Sequence, residues 1–318
     1  MNDKQIVTIT RCENYQPQKI HSALIKHLEL LGGLEKFIKK DDSVLIKPNF
    51  IAPRPAKFAT QTNPVVIVEL VKILKDFGAK PFVGDSSAWA TVKMCANAIG
   101  LTEPLKKLNV PLKSLNRPVD CRLENGDILP ISSIAVDADA IINLPKLKTH
   151  QQLVATFAVK NMFGVVSGKR KALLHFTKGS TSESFCEMLI SIYKYMQPVF
   201  TIIDAVEVMD SQGPIHGRTR PLGWLISGTE PVAIETICCK LVNIEPDIIP
   251  IIRQARKMNF GTSNFENIRI LGDDFSGQIC TDFILPQTIP IRFSLPRVIK
   301  SIAKQAVILL KSPLKSGK

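Results

Sequence analysis

The sequence has few aromatic residues and lacks the short motifs of several common protein classes. Aromatic side chains make up 6% of the 318 residues. No helix-turn-helix, zinc finger or platform of aromatic and basic residues is recognisable, so nucleic acid is an unlikely partner. The sequence also has no G-x-G-x-x-G, H-E-x-x-H or G-x-S-x-G motif, which excludes the simplest dinucleotide, zinc-protease and hydrolase sites.

The sequence also lacks C-x-x-C motifs, a recognisable signal peptide and a long apolar run. The seven cysteines are scattered without C-x-x-C spacing. This pattern argues against a disulfide framework and against a [4Fe–4S] motif in this chain, and it is typical of a reducing compartment. The start, MNDKQIVTIT, does not resemble a signal peptide. No uncharged apolar run approaches the roughly 18 residues of a spanning helix. The main body is therefore predicted to be cytoplasmic.

Positive charge is what the chain has in excess. Its formal net charge is +13 and its pI is about 9.4, which favours an anionic small molecule, an acidic protein or a membrane surface as partner. The segment from Asn143 to His175 carries many basic residues and no acid. Such a segment is either a solvated basic face or the wall of a site that faces an anion.

Short β-branched runs alternate with helical patterns along most of the chain. This alternation indicates an α/β fold with a largely parallel open sheet and helices on both faces. Residues 1–285 are predicted to form this domain. Asn125-Gly126 predicts a hairpin turn, and hence a small β-hairpin insertion near residues 110–135 that is either an edge addition or part of a subdomain.

Capping residues predict where several helices begin and end. One helix is predicted from Ile20 to Ile38 with a break at Gly32-Gly33. Asn63 is predicted to cap a second helix that has Pro64 at its first position and runs to about Phe77. A third, containing Lys160, is predicted to end at Gly164.

The tail, residues 286–318, is basic and free of acids. Between Pro296 and Leu310 its apolar residues fall on one helical face, which predicts a basic amphipathic helix. A helix of this kind either lies on an anionic membrane surface or docks on its own domain or a partner. The tail therefore adds peripheral membrane contact to the predictions.

Polar segments directly follow several predicted strands. In an open parallel sheet, ligands bind at the carboxyl ends of the strands because the loops there meet along one rim. The segments predicted to line one cleft are Lys47-Pro48-Asn49, Asp85-Ser86-Ser87, Asn143 to His150, Asp204 to Pro214 and Ser227-Gly228. Within and beside them, anion- or cofactor-binding roles are predicted for Lys47, Asn49, Ser86, Lys146, Lys148 and Asn161.

Three residues of the basic segment are candidate catalytic groups. Lys160 has apolar neighbours on both sides, so it is either a desolvated nucleophile or acid/base, or a lysine whose stem is buried and whose amine reaches water. His150 and His175 are candidate ligands or proton shuttles, although a single histidine is more often structural.

Three aspartates that follow strands are candidate metal ligands. Asp85, Asp204 and Asp210 could hold a divalent cation or orient the site. The alternative for Asp85 and Asp204 is ordinary capping of a helix or turn.

Several motifs together resemble the domain of unknown function 362 family. They are VLIKPNF, the helix start from Thr60 to Pro64, GDSS, INLPKLKTH, AVKNMFG, the later His175, IIDAVEVMDSQGP and PVAIE, in order between Val44 and Gly272. The resemblance implies association with redox or metallocofactor chemistry, because many members carry a ferredoxin-like [4Fe–4S] module. This chain has no cysteine cluster after its last motif, and it has Glu235 where the family is expected to place aspartate.

A second similarity concerns spacing alone. Nickel-pincer lactate racemases have a histidine, a lysine that carries the pincer nucleotide, and a nickel-binding histidine at spacings like those of His150, Lys160 and His175. By that analogy Lys160 would anchor a cofactor, His175 would bind metal and His150 would act as acid or base.

Three functional hypotheses follow from the sequence. The first is an enzyme-like domain that binds an anionic substrate or cofactor, with or without a metal, for redox or proton-transfer chemistry. The second is a non-catalytic binding or assembly protein that docks a ferredoxin-type partner or a membrane surface. The third is an isomerase that resembles the nickel-pincer racemases.

Overall fold

The computed structural model describes residues 4–87, 90–168 and 170–292, which fold around one large sheet. The strands are β1 (Gln5–Arg11), β2 (Ser43–Pro48), β3 (Lys80–Asp85), β4 (Leu112–Ser114), β5 (Pro118–Arg122), β6 (Ile128–Ser132), β7 (Ala140–Leu144), β8 (Lys146–His150), β9 (Val154–Thr156), β10 (Phe200–Asp210), β11 (Arg218–Gly228) and β12 (Ile268–Gly272). The helices are α1 (Pro17–Leu30), α2 (Pro64–Phe77), α3 (Val92–Ala98), α4 (Thr102–Lys107), α5 (Ser133–Val136), α6 (Ala158–Asn161), α7 (Arg170–Thr177), α8 (Ser182–Met196), α9 (Pro231–Leu241) and α10 (Pro250–Lys257).

Most neighbouring strands of the large sheet are parallel. Its order is β12-β1-β11-β10-β7-β2-β3-β4, and β8 and β9 extend it beside β10. β10, β7, β2, β3 and β4 run in the same direction, whereas β11 is antiparallel to both β1 and β10. The prediction of a largely parallel open sheet is confirmed.

Alternate residues of the central strands point into two different cores. In β2, Leu45 packs with the helices of the second half of the chain, while Val44 and Ile46 pack with α1 and α2. Because successive side chains of a strand point to opposite faces, the two cores lie on the two sides of the sheet. Helices therefore cover both faces, as predicted.

The predicted second helix has the predicted ends, and the first is shorter than predicted. Asn63 accepts a hydrogen bond from the Val65 amide, Pro64 opens α2, and Gly78 in a left-handed conformation ends it. By contrast, α1 ends at Leu30, and a separate short turn forms after Gly32-Gly33. Both glycines have positive φ values, so the chain turns there instead of continuing the helix.

Three expectations about the edge of the sheet are wrong. Asp204 to Asp210 do not follow a strand but belong to β10. Residues 146–150 are not a loop but strand β8, which pairs with β10 and β9. Ser227-Gly228 ends a strand that runs antiparallel to its neighbours, so it lies at the opposite edge, where Ser227 contacts His27. Strand direction depends on long-range pairing, which the local pattern of residues does not reveal.

The hairpin insertion forms a sheet of its own. β5 and β6 pair with each other as a two-stranded sheet, and Ile131 of β6 also forms an isolated antiparallel bridge with Val166. Salt bridges join the turn to the helical layer, from Lys178 to Asp127 and from Lys194 to Glu124. The predicted tail helix, from Pro296 to Leu310, lies outside the described residues. No helix within the described ranges is long and apolar enough to cross a bilayer.

Candidate functional site

A buried ion pair marks the carboxyl ends of β2 and β3. Lys47 Nζ lies 2.8 Å from Asp85 Oδ1, and both side chains are inaccessible to water. Asp85 also accepts hydrogen bonds from the amides of Phe50 and Ser86, at 2.8 and 2.7 Å. Gly164 packs directly against the pair, and a Cβ there would overlap Asp85 Oδ1 and Lys47 Nζ. Position 164 is therefore restricted to glycine by this pair.

A second buried ion pair joins β8 to β10. Lys146 Nζ lies 2.9 Å from Asp204 Oδ2 and 2.6 Å from the Tyr15 hydroxyl. Tyr15 donates to Asp204 Oδ1 at 2.8 Å, and the Asn63 amide donates to Asp204 Oδ2 at 2.9 Å. Each of these charged or polar groups has a partner within the network. The network therefore fixes the start of β8 against β10.

Asparagine side chains connect the lysine of β8 to the segment that carries Lys160. Lys148 donates to Asn49 Oδ1 at 2.5 Å and to the Thr60 carbonyl. Asn49 in turn donates to Asn161 Oδ1 at 2.9 Å, and Asn161 donates to the Lys47 carbonyl at 3.1 Å and to Asn143 Oδ1 at 2.8 Å. This network holds three of the predicted binding residues, Asn49, Lys148 and Asn161, within one set of contacts.

Lys160 lies on the one-turn helix α6, which a short 3-10 turn follows. Gly164 lies inside that turn, at residues Met162–Val165, and does not cap a helix as predicted. The amine of Lys160 lies 4.8 Å from the centre of the Phe163 ring, and its side chain keeps part of its surface exposed. Burial of the Lys160 amine lowers its pKa to about 8, because desolvation disfavours the charged form.

Glu235 supports the start of α6 from the neighbouring helix α9. Its Oε1 accepts a hydrogen bond from the Val159 amide at 2.8 Å. The side chain is fully buried, and this burial raises the pKa of the carboxyl to about 8. Glu235 is therefore neutral at neutral pH and orients the turn that carries Lys160 without adding a charge.

Lys171 is a second amine beside the same aromatic ring. It extends from α7, lies 5.7 Å from the Phe163 ring centre, and donates to the Ser86 carbonyl. The Ser86 hydroxyl accepts from the Gly168 amide at 3.0 Å. Burial, together with the positive charges of Lys47 and Lys160, lowers the pKa of Lys171 to about 7, although the charge of Asp85 opposes the shift.

The two histidines lie near Lys160 and Phe163. His150 Nδ1 accepts from the Gln152 amide at 3.2 Å. Its pKa lies well below the usual value because of burial and the positive charges of Lys160, His175 and Lys148. His175 stacks on Phe185, with ring centres 4.5 Å apart, and meets Phe163 edge-on. His150 is therefore a neutral imidazole at neutral pH.

We call Lys47, Lys148, Lys160 and Lys171 the lysine cluster. Burial lowers the pKa of Lys148 to about 7, and the nearby charges of Lys146, Lys160 and Lys47 lower it as well. Among the described residues, Asp85 is the one carboxylate within 4.0 Å of any of the four amines, and Lys47 occupies it. The cluster is thus a buried site with an excess of positive charge, which an anion would stabilise.

The structure brings most of the predicted site residues together. Lys47, Asn49, Ser86, Lys148, Lys160, Asn161, His150 and His175 all belong to the contacts described above. Lys146 lies in the neighbouring network with Asp204, although its charge reaches Lys148. Their catalytic and binding roles remain predictions.

The three candidate metal ligands each have a cationic partner. Asp85 pairs with Lys47 and Asp204 with Lys146. Asp210 is bound by Arg218, at 2.8 Å, and lies 3.4 Å from Arg220. No group of three or more His, Cys, Asp or Glu able to hold a metal is found in residues 4–87, 90–168 and 170–292. Their shared metal role remains a prediction without support from this geometry.

Sequence reasoning did not assign roles to three residues of the site. Lys171 was one basic residue among many, and Phe163 carried no signal beyond its place in the AVKNMFG motif. Tyr15 is 189 positions from Asp204 in the chain, and no local pattern indicates their contact. The two lysine–aspartate pairs could have been predicted by matching each lysine at a strand end with an aspartate at the end of a neighbouring strand.

The chain belongs to the family described as Domain of unknown function (DUF362), whose profile matches residues 44–240. It is also 32% identical over 311 residues to the thylakoid-associated protein sll1697 of Synechocystis sp.. That alignment covers 97% of this chain and 97% of the relative. The family resemblance predicted from the motifs is confirmed, and the relative matches the chain along nearly its whole length.

Two solved structures resemble the fold at low sequence identity. The lactate racemase apoprotein from Thermoanaerobacterium thermosaccharolyticum has a TM-score of 0.48 and 16% identity, and the match covers 76% of this chain and 57% of that one. A protein from Thermotoga maritima has a TM-score of 0.40 and 12% identity, with coverage of 63% and 53%. The chain thus spans little more than half the length of each.

Proposed function

We propose that this protein is an enzyme-like α/β domain that binds an anionic small molecule or cofactor in the lysine cluster and performs proton transfer there. The observation that carries the proposal is the excess of buried amines over carboxylates at the carboxyl ends of β2, β3 and β8. A fold that keeps such amines desolvated loses stability unless a negative ligand compensates them. This cost is typical of a binding site.

Lys160 is the residue best suited to move a proton. Its pKa of about 8 lies close to neutral pH, where a group can both accept and release a proton efficiently. The residue is partly exposed to solvent. His150 is held neutral and its Nδ1 accepts from the Gln152 amide, so the proton of the neutral ring lies on Nε2, which makes that nitrogen the proton donor in this proposal.

A metal or redox cofactor would have to bring other ligands to this site. The described residues hold no group of three or more His, Cys, Asp or Glu that could bind a metal. The amines of the lysine cluster fit the anionic part of a cofactor, such as a phosphate or carboxylate. We therefore assign the cluster to anion binding and keep redox chemistry as a variant of the proposal in which the cofactor supplies it.

Ligand retention tests the proposal. The wild-type protein, Lys160→Ala and the control Lys106→Ala would be purified anaerobically and compared by metal analysis and by native and denaturing mass spectrometry. Lys106 is an exposed lysine that pairs with Glu103. We expect a bound anionic species in the wild type and in the control, and its loss in Lys160→Ala with the circular dichroism unchanged. Equal retention in all three proteins would contradict the proposal.

A second proposal is peripheral docking on a membrane or on a ferredoxin-type partner. It is supported by the net charge of +13, by the basic tail and by exposed Ile284 and Leu285 just before it. The similar Synechocystis protein is named as thylakoid-associated. Flotation with vesicles of anionic lipid tests this directly: deletion of residues 296–318 should abolish binding, whereas Lys160→Ala should not.

A third proposal, an isomerase resembling the nickel-pincer racemases, rests on the spacing of His150, Lys160 and His175. Its support is that the positive charges of Lys160 and His175 help to lower the pKa of His150. An adduct on Lys160 in the denatured mass spectrum, together with nickel in the metal analysis, would favour it over simple anion binding.

A further inference from the structure

The number of uncompensated amines indicates which anion the lysine cluster binds. Asp85 neutralises Lys47 at 2.8 Å. The next acid, Asp204, is already paired with Lys146 and accepts a hydrogen bond from Tyr15. Among the described residues, no carboxylate lies within 4.0 Å of the amines of Lys148, Lys160 or Lys171. Three amines therefore lack a carboxylate at ion-pair distance, although the charge of Asp85 still acts on Lys148 and Lys171.

These three amines belong to one connected set of contacts. Lys160 and Lys171 both approach the Phe163 ring, at 4.8 and 5.7 Å from its centre. Lys148 is tied through Asn49 to Asn161, the residue next to Lys160. The three amines come from three separate elements, β8, α6 and α7. A ligand that contacts all three must present several acceptor atoms in different directions.

A monocarboxylate does not meet this requirement. It carries one negative charge on two oxygens in a plane, which are fewer acceptor atoms than there are amines. A phosphate ester carries about 1.5 to 2 negative charges at neutral pH and three acceptor oxygens, and a diphosphate carries more. Each lysine amine is a compact charge with three donors, which suits tetrahedral phosphate oxygens.

We propose that the ligand of this site is a phosphorylated compound with at least two negative charges, whose phosphate oxygens lie between Lys148, Lys160 and Lys171. The inference rests on the proposed anion-binding function and specifies its ligand class. Lys47 stays bound to Asp85.

Calorimetric titration with inorganic pyrophosphate, orthophosphate and acetate at equal ionic strength tests the class. We expect pyrophosphate to bind most tightly, orthophosphate less tightly and acetate not measurably. Lys171→Met should weaken pyrophosphate binding at least about 10-fold, the change equivalent to one charged hydrogen bond. Lys160→Gln, at a partly exposed position, should do the same with an unchanged melting temperature. The control Lys106→Met should bind like the wild type.

Different outcomes distinguish a failure of the phosphate ligand class from a failure of the proposed anion-binding function. If acetate binds as tightly as pyrophosphate, the phosphate class is wrong. If none of the three anions binds but the purified protein loses a bound species in Lys160→Ala, the class is again wrong, while the proposed function stands. If no anion binds and no species depends on Lys160, both are wrong. Equal weakening by Lys171→Met and Lys106→Met would show only non-specific attraction and would also overturn the inference.

Discussion

The stability of this protein should depend on the ionisation of Glu235, which lies fully buried against the start of α6. Burial raises the pKa of its carboxyl to about 8, from an unperturbed value of 4.5. The folded chain therefore keeps the carboxyl protonated at neutral pH, whereas the unfolded chain releases the proton. Glu235→Gln should remove this difference, because glutamine keeps an acceptor for the Val159 amide and does not ionise.

The sign and size of the effect follow from proton linkage. Below about pH 4.5 both states hold the proton. Between 4.5 and about 8 only the folded state does, so the unfolded state binds fewer protons and the free energy of unfolding falls as pH rises. Each pH unit corresponds to about 1.36 kcal/mol. At pH 7 the wild type should thus have lost about 3 kcal/mol that Glu235→Gln retains.

Urea unfolding at pH 5, 6, 7 and 8 measures this difference. The advantage of Glu235→Gln over the wild type should grow steadily with pH and reach about 3 kcal/mol at pH 7. Glu29→Gln, at an exposed position of α1, controls for the loss of one carboxyl group. A difference between the wild type and Glu235→Gln that stays constant across the four pH values would refute the reasoning, since Glu235 would then ionise alike in both states.

Three further predictions concern the ion pairs and the cluster. Gly164→Ala should lower the melting temperature and pyrophosphate affinity because its Cβ would overlap Lys47 and Asp85, whereas Gly277→Ala, with open space around it, should change neither. Lys148→Met should abolish pyrophosphate binding in calorimetry. Its free energy of unfolding should be equal to that of the wild type or higher by up to about 3 kcal/mol, because methionine does not have to be desolvated as a charge. The wild type should gain stability between pH 7 and 9 because the pKa of Lys148 is lowered in the folded state, and Lys148→Met should lack this gain in urea titrations. Asp210→Asn should cost about 1–3 kcal/mol in urea unfolding by weakening its contacts with Arg218 and Arg220, with affinity for pyrophosphate unchanged; a loss of affinity there would show that Asp210 belongs to the site.

Local chemistry made part of the fold predictable. Asn63 followed by Pro64 identifies a helix start because the side chain and the ring act on adjacent residues, and α2 begins there. Asn125-Gly126 likewise predicted the hairpin between β5 and β6. The rule that ligands bind at the carboxyl ends of parallel strands brought Lys47 and Asp85 together, and the structure pairs them.

Long-range pairing made the rest unpredictable. Residues 146–150 are polar at every second position, which is typical of an exposed strand or a loop, yet β8 is buried because its lysines face other charged and polar groups. The placement of Ser227 failed because the direction of β11 depends on its neighbours. The network of Tyr15 with Asp204 depends on a contact across 189 positions.

The pKa of Lys160 tests most directly whether the lysine cluster is a buried anion-binding site. Proton–carbon NMR of protein labelled at the lysine ε-carbon would follow the amine through a pH titration, with the signal assigned from Lys160→Arg. We expect a pKa of about 8 in the free protein and a rise towards the ordinary lysine value when pyrophosphate is added. A pKa already near 10.5 without ligand, or one that does not respond to pyrophosphate, would contradict the account.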